Sequence, residues 1–581
     1  MLDLKITGGT IVDGTGAARY AADIGIRDGR IVQIGQVDEP AHQTIEAGGR
    51  IVAPGFVDVH THYDAQVLWD PTVSPSSFHG VTTVIGGYCG FSIAPLSEES
   101  GDYLIRMLSR VEGMPLESLR ASADWGWSTF ADYLSRFEGT LAINAGFLVG
   151  HSAIRRHVMG PAAVEREATR AELDRMKDLV RESIRGGALG FSTTLSPSHN
   201  DLEGVPVPSR HASREEVMEL YSVISEFEGT TAEIIPCVDF TADTFQLMTD
   251  VSLAAQRPVN WNAISVGRGT PVEMEQVEAR LAATDYARAR GAEVIALALV
   301  QSPTLRINLV SGFIFDGLAG WAPFFQLPMD ARMATLRDPA GRADLKAKAD
   351  AGTGNFQNLA KWDRLRVEEV FCDANRKYVG RSISDIAADE GRDAFDVFAD
   401  IALADDLRTT FMPLPAEENL QMFQARAKLW NDDRTVVGAS DAGAHLDMID
   451  TFAMATHFLE TSVRKFPVAT LEQAIHQLTE KAAKLVGLRD RGVLKEGYFA
   501  DIVILDEDKV ARGDVHTRVD MPAGGARLYA DAQGIGHVIV NGREVIRDNQ
   551  YLGVPAGAVI RPGKDTYTVE IPAARAAAAA E

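Results

Sequence analysis

The 581-residue chain predicts an α/β protein: a (β/α)8, TIM-like barrel beside a small β-sandwich domain built from both chain ends. Three observations predict it. Short apolar strands alternate with helical stretches through the middle of the chain, turn-broken β texture occupies both ends, and residues able to bind metal fall at the ends of candidate strands.

Residues 1–54 read as strands separated by turns (LKITGG, TIVDG, ADIGIRDGRIVQIG, GGRIVAPG), with Asp28-Gly29 as a hairpin turn. The same texture returns in YFADIVILD (498–506) and GHVIVNGREVIRD (536–548), where Asn541-Gly542 is a second hairpin turn. Residues 1–54 and 490–565 are therefore expected to form one composite β-domain, and 566–581 a tail. Its AARAAAAAE end is low-complexity and reads as a frayed helix or disordered segment.

Residues 55–489 carry the barrel pattern. Candidate strands are 55–62, 81–89, 143–151, 187–194, 230–238, 258–265, 293–300 and 434–441. Between them run helical stretches such as 213–229, with Ser213 as N-cap and Glu216 as its capping-box partner three residues on. The interval 301–433 is too long for one connection and must hold inserted structure. Its aromatic stretch GFIFDGLAGWAPFFQLP (312–328) reads as an active-site cover or as packing of the insert, and 91–142 with Trp125 and Trp127 poses the same choice.

A net charge of −24 opposes binding to nucleic acid or to an anionic membrane surface, and leaves a small-molecule substrate as the expected partner. Nothing in the sequence opposes a homo-oligomer. Cys89, Cys237 and Cys372 are too few for a disulfide framework, and with no apolar run of signal or membrane-spanning length a cytoplasmic location is expected.

The sharpest local signal is GFVDVHTHYD (55–64). On an extended chain His60 and His62 share one face, about 6.6 Å apart at the Cα atoms, which two imidazoles can close onto one metal ion. The run IVAPGFVDVHTHYD resembles the opening signature of the amidohydrolase superfamily, and HGVTTVIGGYCGFSIAP (79–95) resembles the segment by which the N-acyl-D-amino-acid deacylase (D-aminoacylase) family supplies a cysteine to its metal site. LVGHSAIRR (148–156), GGALGFSTT (186–194), VVGASDAGAHLDMID (436–450) and VLKEGYFADIVILD (493–506) are similar to the same family, so the likeness covers nearly the whole chain.

The resemblance implies a zinc ion surrounded by His60, His62, Cys89 and Asp441, all of them ordinary ligand types. It implies hydrolysis of an amide C–N bond, most readily in an N-acyl-D-amino acid, with Asp441 taking the water proton and passing it to the departing nitrogen. Family histidines at the ends of the fifth and sixth strands are missing here, since none occurs between His211 and His445. Glu233 stands at the first position as a replacement donor, and Asn260 or Asn262 at the second, where asparagine is a poor zinc ligand. The lysine that bridges two metals in many superfamily relatives is absent from GALGFSTT, so one tightly held ion is expected rather than two.

His151 and His445 are candidates for substrate contact, with structural hydrogen bonding as the alternative; His199 is an outside candidate, and His79 is expected to be structural. Arg155, Arg156 and Arg268 are candidates for gripping a substrate carboxylate. Two rival readings stay open: a cyclic amide or other C–N substrate, and a non-catalytic scaffold that has shed metal ligands.

Overall fold

The computed structural model describes residues 1–578 except 238, 302–303, 313, 316–317, 353–356 and 415–416. Val238 of the fifth expected strand, Phe313, Asp316 and Gly317 of the aromatic stretch, and the last three residues of the tail lie outside the described residues.

Two parallel sheets carry the middle of the chain. One orders Phe56–Asp58, Val81–Gly86 and Asn144–Phe147; the other orders Val149–Gly150, Gly190–Thr194, Thr231–Ile235, Val259–Ile264, Val294–Ala298 and Thr435–Val437. They meet at Leu148, whose amide donates to the Gly86 carbonyl at 2.9 Å. At their other edges Thr61 forms a parallel bridge with Ala442, and the His62 amide donates to the Ala442 carbonyl at 2.7 Å. All strand residues from 81 to 86, 144 to 147 and 294 to 298 are buried, as expected of parallel strands covered on both faces.

Helices follow the strands. Arg170–Arg185, Arg214–Ile224, Ala242–Ala255 and Pro271–Arg288 each begin at a Ser or Thr whose side chain accepts a first-turn amide, which satisfies one of the donors a helix start leaves open. Ser213 does cap Arg214–Ile224, but Glu216 does not complete a capping box. Its carboxylate turns inward instead, to His151 and Arg155.

Every observed parallel strand is shorter than its sequence pattern. The apolar run continues into extended loops that still bond to neighbours without laddering, as Thr61 does through its amide to Ile85 at 3.0 Å. Consequently His60, His62, Cys89 and Asp441 follow strands rather than ending them.

The insert has a core of its own. Helices Met329–Arg337, Pro339–Ala351, Ile383–Glu390 and Ala394–Ala404 surround the antiparallel pair Leu365–Glu369 and Thr410–Pro413. Trp321 is fully buried and stacks on Phe315 and Trp362 at centroid separations of 5.6 and 5.4 Å. These aromatics pack the insert. Trp127 is likewise a packing residue, buried with its Nε1 donating to the Ile93 carbonyl at 2.8 Å.

Both chain ends enter one nine-stranded mixed sheet, ordered Gln550–Tyr551, Arg543–Arg547, Ile535–Val540, Ile502–Leu505, Ile51–Pro54, Leu2–Ile11, Tyr20–Arg27 and Arg30–Gly35, with Ala41–Glu46 also pairing Leu2–Ile11. The expected sandwich of two sheets is not seen as such: beside this sheet stand the two-stranded pairs Ala511–Arg512 with Ala532–Gln533 and His516–Val519 with Ala526–Tyr529. Register shifts at Ile6/Gly9, Gly25/Ile26 and Ile504/Leu505 are irregularities of the bulge kind, which bend strands; Ile6, Ile26, Ile502 and Ile539 of this sheet share one small core, whereas Ile51, Val503, Leu505 and Val538 join the main core. The expected tail differs too. Thr566 is buried with its hydroxyl donating to the Gly229 carbonyl at 2.7 Å, Ile571 is buried, and Pro572–Ala578 is helical. Among the described residues no helix is long and apolar enough to cross a membrane, and all three cysteines are free.

Candidate metal centre

His60, His62 and Cys89 offer one ligand atom each within 4.8 Å of one another, all buried. Cys89 Sγ lies 3.5 Å from His60 Nε2 and 3.7 Å from His62 Nε2. Asp441 Oδ1 lies 3.2 Å from His60 Nε2 and 3.1 Å from His62 Nε2. Four tetrahedral bonds of about 2.0–2.3 Å place neighbouring donors roughly 3.3–3.7 Å apart, close to the separation of each imidazole from the thiol and from the carboxylate; the group that lies mutually within 4.8 Å is the two histidines and the cysteine, with Asp441 against both rings.

The backbone is bent to achieve this. Cys89, Asp441 and His445 have φ of 57°, 56° and 47°, uncommon for residues other than glycine. Gly443 has φ 91°, and a Cβ there would stand 2.7 Å from the His62 carbonyl, so only glycine lets this loop cross the histidine segment. Ser440 clamps the two segments further: its hydroxyl donates to Asp58 Oδ2 at 2.5 Å and accepts the Ala442 amide at 3.0 Å.

The charges are strongly coupled. Burial disfavours a charged His60 ring and lowers its pKa to about 4 against the pull of Asp441. Burial acts the same way on His62, but Glu112 and Asp441 outweigh it and raise that ring to about 9. Burial also opposes charge on Asp441, and hydrogen bonds from the two imidazoles overturn this and hold it well below the usual carboxylate range. Burial and the nearby Glu233 push the Cys89 thiol well up, a preference that a cation on the sulfur would reverse.

Glu233 does not join the four donors. Its Oε2 accepts the Cys89 amide at 3.0 Å, which makes it a support for the cysteine loop in this structure. Asn262 Nδ2 sits 3.2 Å from His60 Nε2, and Asn260 Nδ2 donates to the Ala232 carbonyl at 3.0 Å. His151 is also placed elsewhere: Nδ1 meets Thr193 Oγ1 at 2.8 Å and Nε2 meets Glu216 Oε1 at 2.9 Å, so both ring nitrogens are used inside the fold. Arg155 is fully buried against the same Glu216 at 3.1 Å and is not available to a substrate. Arg156 lies over the Tyr103 ring at 4.1 Å, and Arg268 is exposed. His79 is structural, bonded to Thr456 Oγ1 at 2.7 Å and the Ala530 carbonyl at 3.0 Å.

His199 and His445 are within electrostatic reach of Asp441 and His62, and burial lowers the pKa of both. A cavity of about 1110 Å³ is lined by Gly113, Leu202 and Asp447, with Phe325 and Arg408 contributed by the insert; neither histidine and none of the four donors lines it. Sequence reasoning missed Glu112, whose Oε1 stands 3.1 Å from His62 Nδ1. The signal was faint: an acid and a glycine closing an amphipathic helix, a pairing equally common on surfaces.

The chain belongs to the amidohydrolase family, hydrolases of carbon–nitrogen bonds: the family model matches residues 43–546. A model of the urease alpha-subunit N-terminal domain also matches residues 1–55. The chain is 28% identical to a D-aminoacylase of Alcaligenes xylosoxydans xylosoxydans over 96% of its own length and 97% of the relative's. It is 29% identical to an N-acyl-D-aspartate deacylase of the same organism, covering 97% and 95%. Among solved structures it resembles D-aminoacylase at a TM-score of 0.64 and 25% identity, covering 97% of this chain and 100% of that one. It also resembles N-acyl-D-glutamate deacylase from Bordetella bronchiseptica, solved with zinc and a phosphonate inhibitor, at a TM-score of 0.63 and 26% identity, covering 96% and 99%.

Proposed function

We propose that this chain is a zinc-dependent amidohydrolase that removes the acyl group from an N-acyl-D-amino acid, on parallel strands closed as a (β/α)8 barrel. The observation that carries the reading is the meeting of four donors from distant segments, with Asp441 Oδ1 at 3.2 and 3.1 Å from two imidazole nitrogens. A scaffold with no chemistry to perform has no cause to bury two imidazoles, a thiol and a carboxylate in one place at the cost of their desolvation. The full-length relatives named for D-amino-acid deacylation supply the substrate class.

His60, His62, Cys89 and Asp441 would hold the ion, and a bound zinc supplies Lewis acidity toward the amide carbonyl and the attacking water. Asp441 accepts the water proton at its carboxylate and delivers it to the departing nitrogen. The imidazoles of His60 and His62 hold that carboxylate in place and favour its charged form. The cavity bordered by Gly113, Leu202 and Asp447 would receive the substrate, with His199 and His445 near its border in the chain. Arg408 lines the same cavity with its side chain about half exposed, and with Arg110, Arg332 and Arg527 on the same lining is a candidate to meet a substrate carboxylate. One ion is favoured over two, because GALGFSTT holds no bridging lysine.

The test is release of free amine from matched N-acyl-D- and N-acyl-L-amino acids by zinc-loaded protein. Turnover of D-substrates, abolished in Asp441→Asn, supports the reading. A zinc-loaded protein inert toward every acylated amino acid refutes it.

A further inference from the structure

We propose that Glu112 is a positioning residue of the metal centre: its carboxylate, set behind the His62 ring at Nδ1, holds that ring with Nε2 toward the other donors. The proposal rests on the reading that these donors hold a metal, and assigns a role to a residue outside the donor set.

Glu112 is built into place by the end of a helix. Glu98–Val111 starts at a Ser97–Ser100 capping box and ends where the Glu112 amide donates to the Leu108 carbonyl at 3.0 Å. Gly113 then turns the chain at φ 60°, close enough that a Cβ there would lie 3.2 Å from the His445 Cα. Glu112 is left only 3% exposed, with Oε1 at 3.1 Å from His62 Nδ1 and its carbonyl accepting the His445 amide at 2.5 Å. One residue thus holds the ring by its side chain and the loop after Asp441 by its backbone.

A buried carboxylate is costly unless it is paired, and the His62 ring is the partner it meets. A carboxylate behind Nδ1 holds the orientation of the ring and leaves Nε2 toward the other donors. Here Nε2 is the atom 3.1 Å from Asp441 and 3.7 Å from Cys89 Sγ. Neither Nδ1 has a hydrogen-bond partner among the described residues, but that of His62 faces a carboxylate oxygen at 3.1 Å and that of His60 faces none. Of the two imidazoles, only His62 has a carboxylate behind it among the described residues.

The experiment compares the full-length parent with Glu112→Gln and Glu112→Asp. Zinc affinity is read by competition with a chromophoric chelator. The His62 ring is read in zinc-free, 15N-histidine-labelled protein, its signals assigned by their loss in His62→Asn. In the Gln variant we expect zinc affinity 10–100-fold weaker and a shift of the His62 ring signals away from their parent positions, both partly restored by Asp. Should the Gln variant fail to fold, the Asp variant carries both readouts, with a smaller shift of the same sign. Parent-like affinity within twofold together with an unchanged His62 pattern overturns the proposal. A parent that binds no zinc refutes the metal reading instead, and its His62 spectrum still decides the role of Glu112.

Discussion

The mouth of the parallel strands has two unlike halves. On one, the segments after Phe56–Asp58, Val81–Gly86 and Thr435–Val437 bring His60, His62 and Cys89 within 4.8 Å of one another, with Asp441 against both imidazoles. On the other, Thr231–Ile235 and Val259–Ile264 present Glu233, Asn260 and Asn262, each with a buried oxygen that has no hydrogen-bond partner among the described residues. The first half gathers the donors proposed to hold a cation. The second backs them, with Glu233 on the Cys89 amide and Asn262 against His60. Each half has one half-buried member, Asp441 on the first and Asn262 on the second, among buried ones.

The largest expected effect is at Asp441. Asp441→Asn keeps the shape and removes the proton acceptor, and the amine-release rate should fall by about 10²–10⁴-fold, the range general acid–base groups supply. A loss below tenfold would remove Asp441 from the proton-transfer role. Next come the other donors of the same half. Cys89→Ser and His60→Asn should lower the zinc content of dialysed protein well under that of the parent, measured by atomic emission; unchanged content in both would dissolve the distinction between the halves.

Glu233→Gln sharpens the same distinction from the other side. It keeps an acceptor for the Cys89 amide and removes a charge, so zinc content should hold and affinity should change by less than about tenfold, a smaller effect than loss of a ligand-orienting group gives at its upper end. Loss of zinc as complete as in His60→Asn would make Glu233 a ligand after all.

The smallest effect lies outside the site, in the terminal sheet. Glu544 is buried, which opposes its charge, but Arg547 and His537 outweigh burial and depress its pKa from 4.5 to about 2. A depressed carboxylate stabilises the fold above its unfolded pKa, and that contribution is lost as pH falls from about 4.5 through 2. Glu544→Gln should therefore melt lower than the parent at neutral pH and converge with it near pH 2, followed by circular dichroism. Parallel melting curves across that window would contradict the assignment.

Legibility differed along the chain for physical reasons. Parallel strands buried on both faces are continuous apolar runs, so segments such as 293–300 announced a strand over Val294–Ala298. Their ends were not legible, because an extended loop after a strand has the same composition as the strand. The histidine pair was legible from its two-residue spacing alone, while the departure of Glu216 from its capping box required knowing that His151 and Arg155 stand behind it. Glu112 was invisible for the same reason: its partner, His62, is fifty residues away in sequence and adjacent only in the fold.

The most direct measurement is X-ray absorption at the zinc edge of the loaded protein. One sulfur at about 2.3 Å with nitrogen and oxygen neighbours at about 2.0–2.1 Å, at close to one zinc per chain, is the predicted result. A first shell of light atoms alone, unchanged in Cys89→Ser, would contradict it.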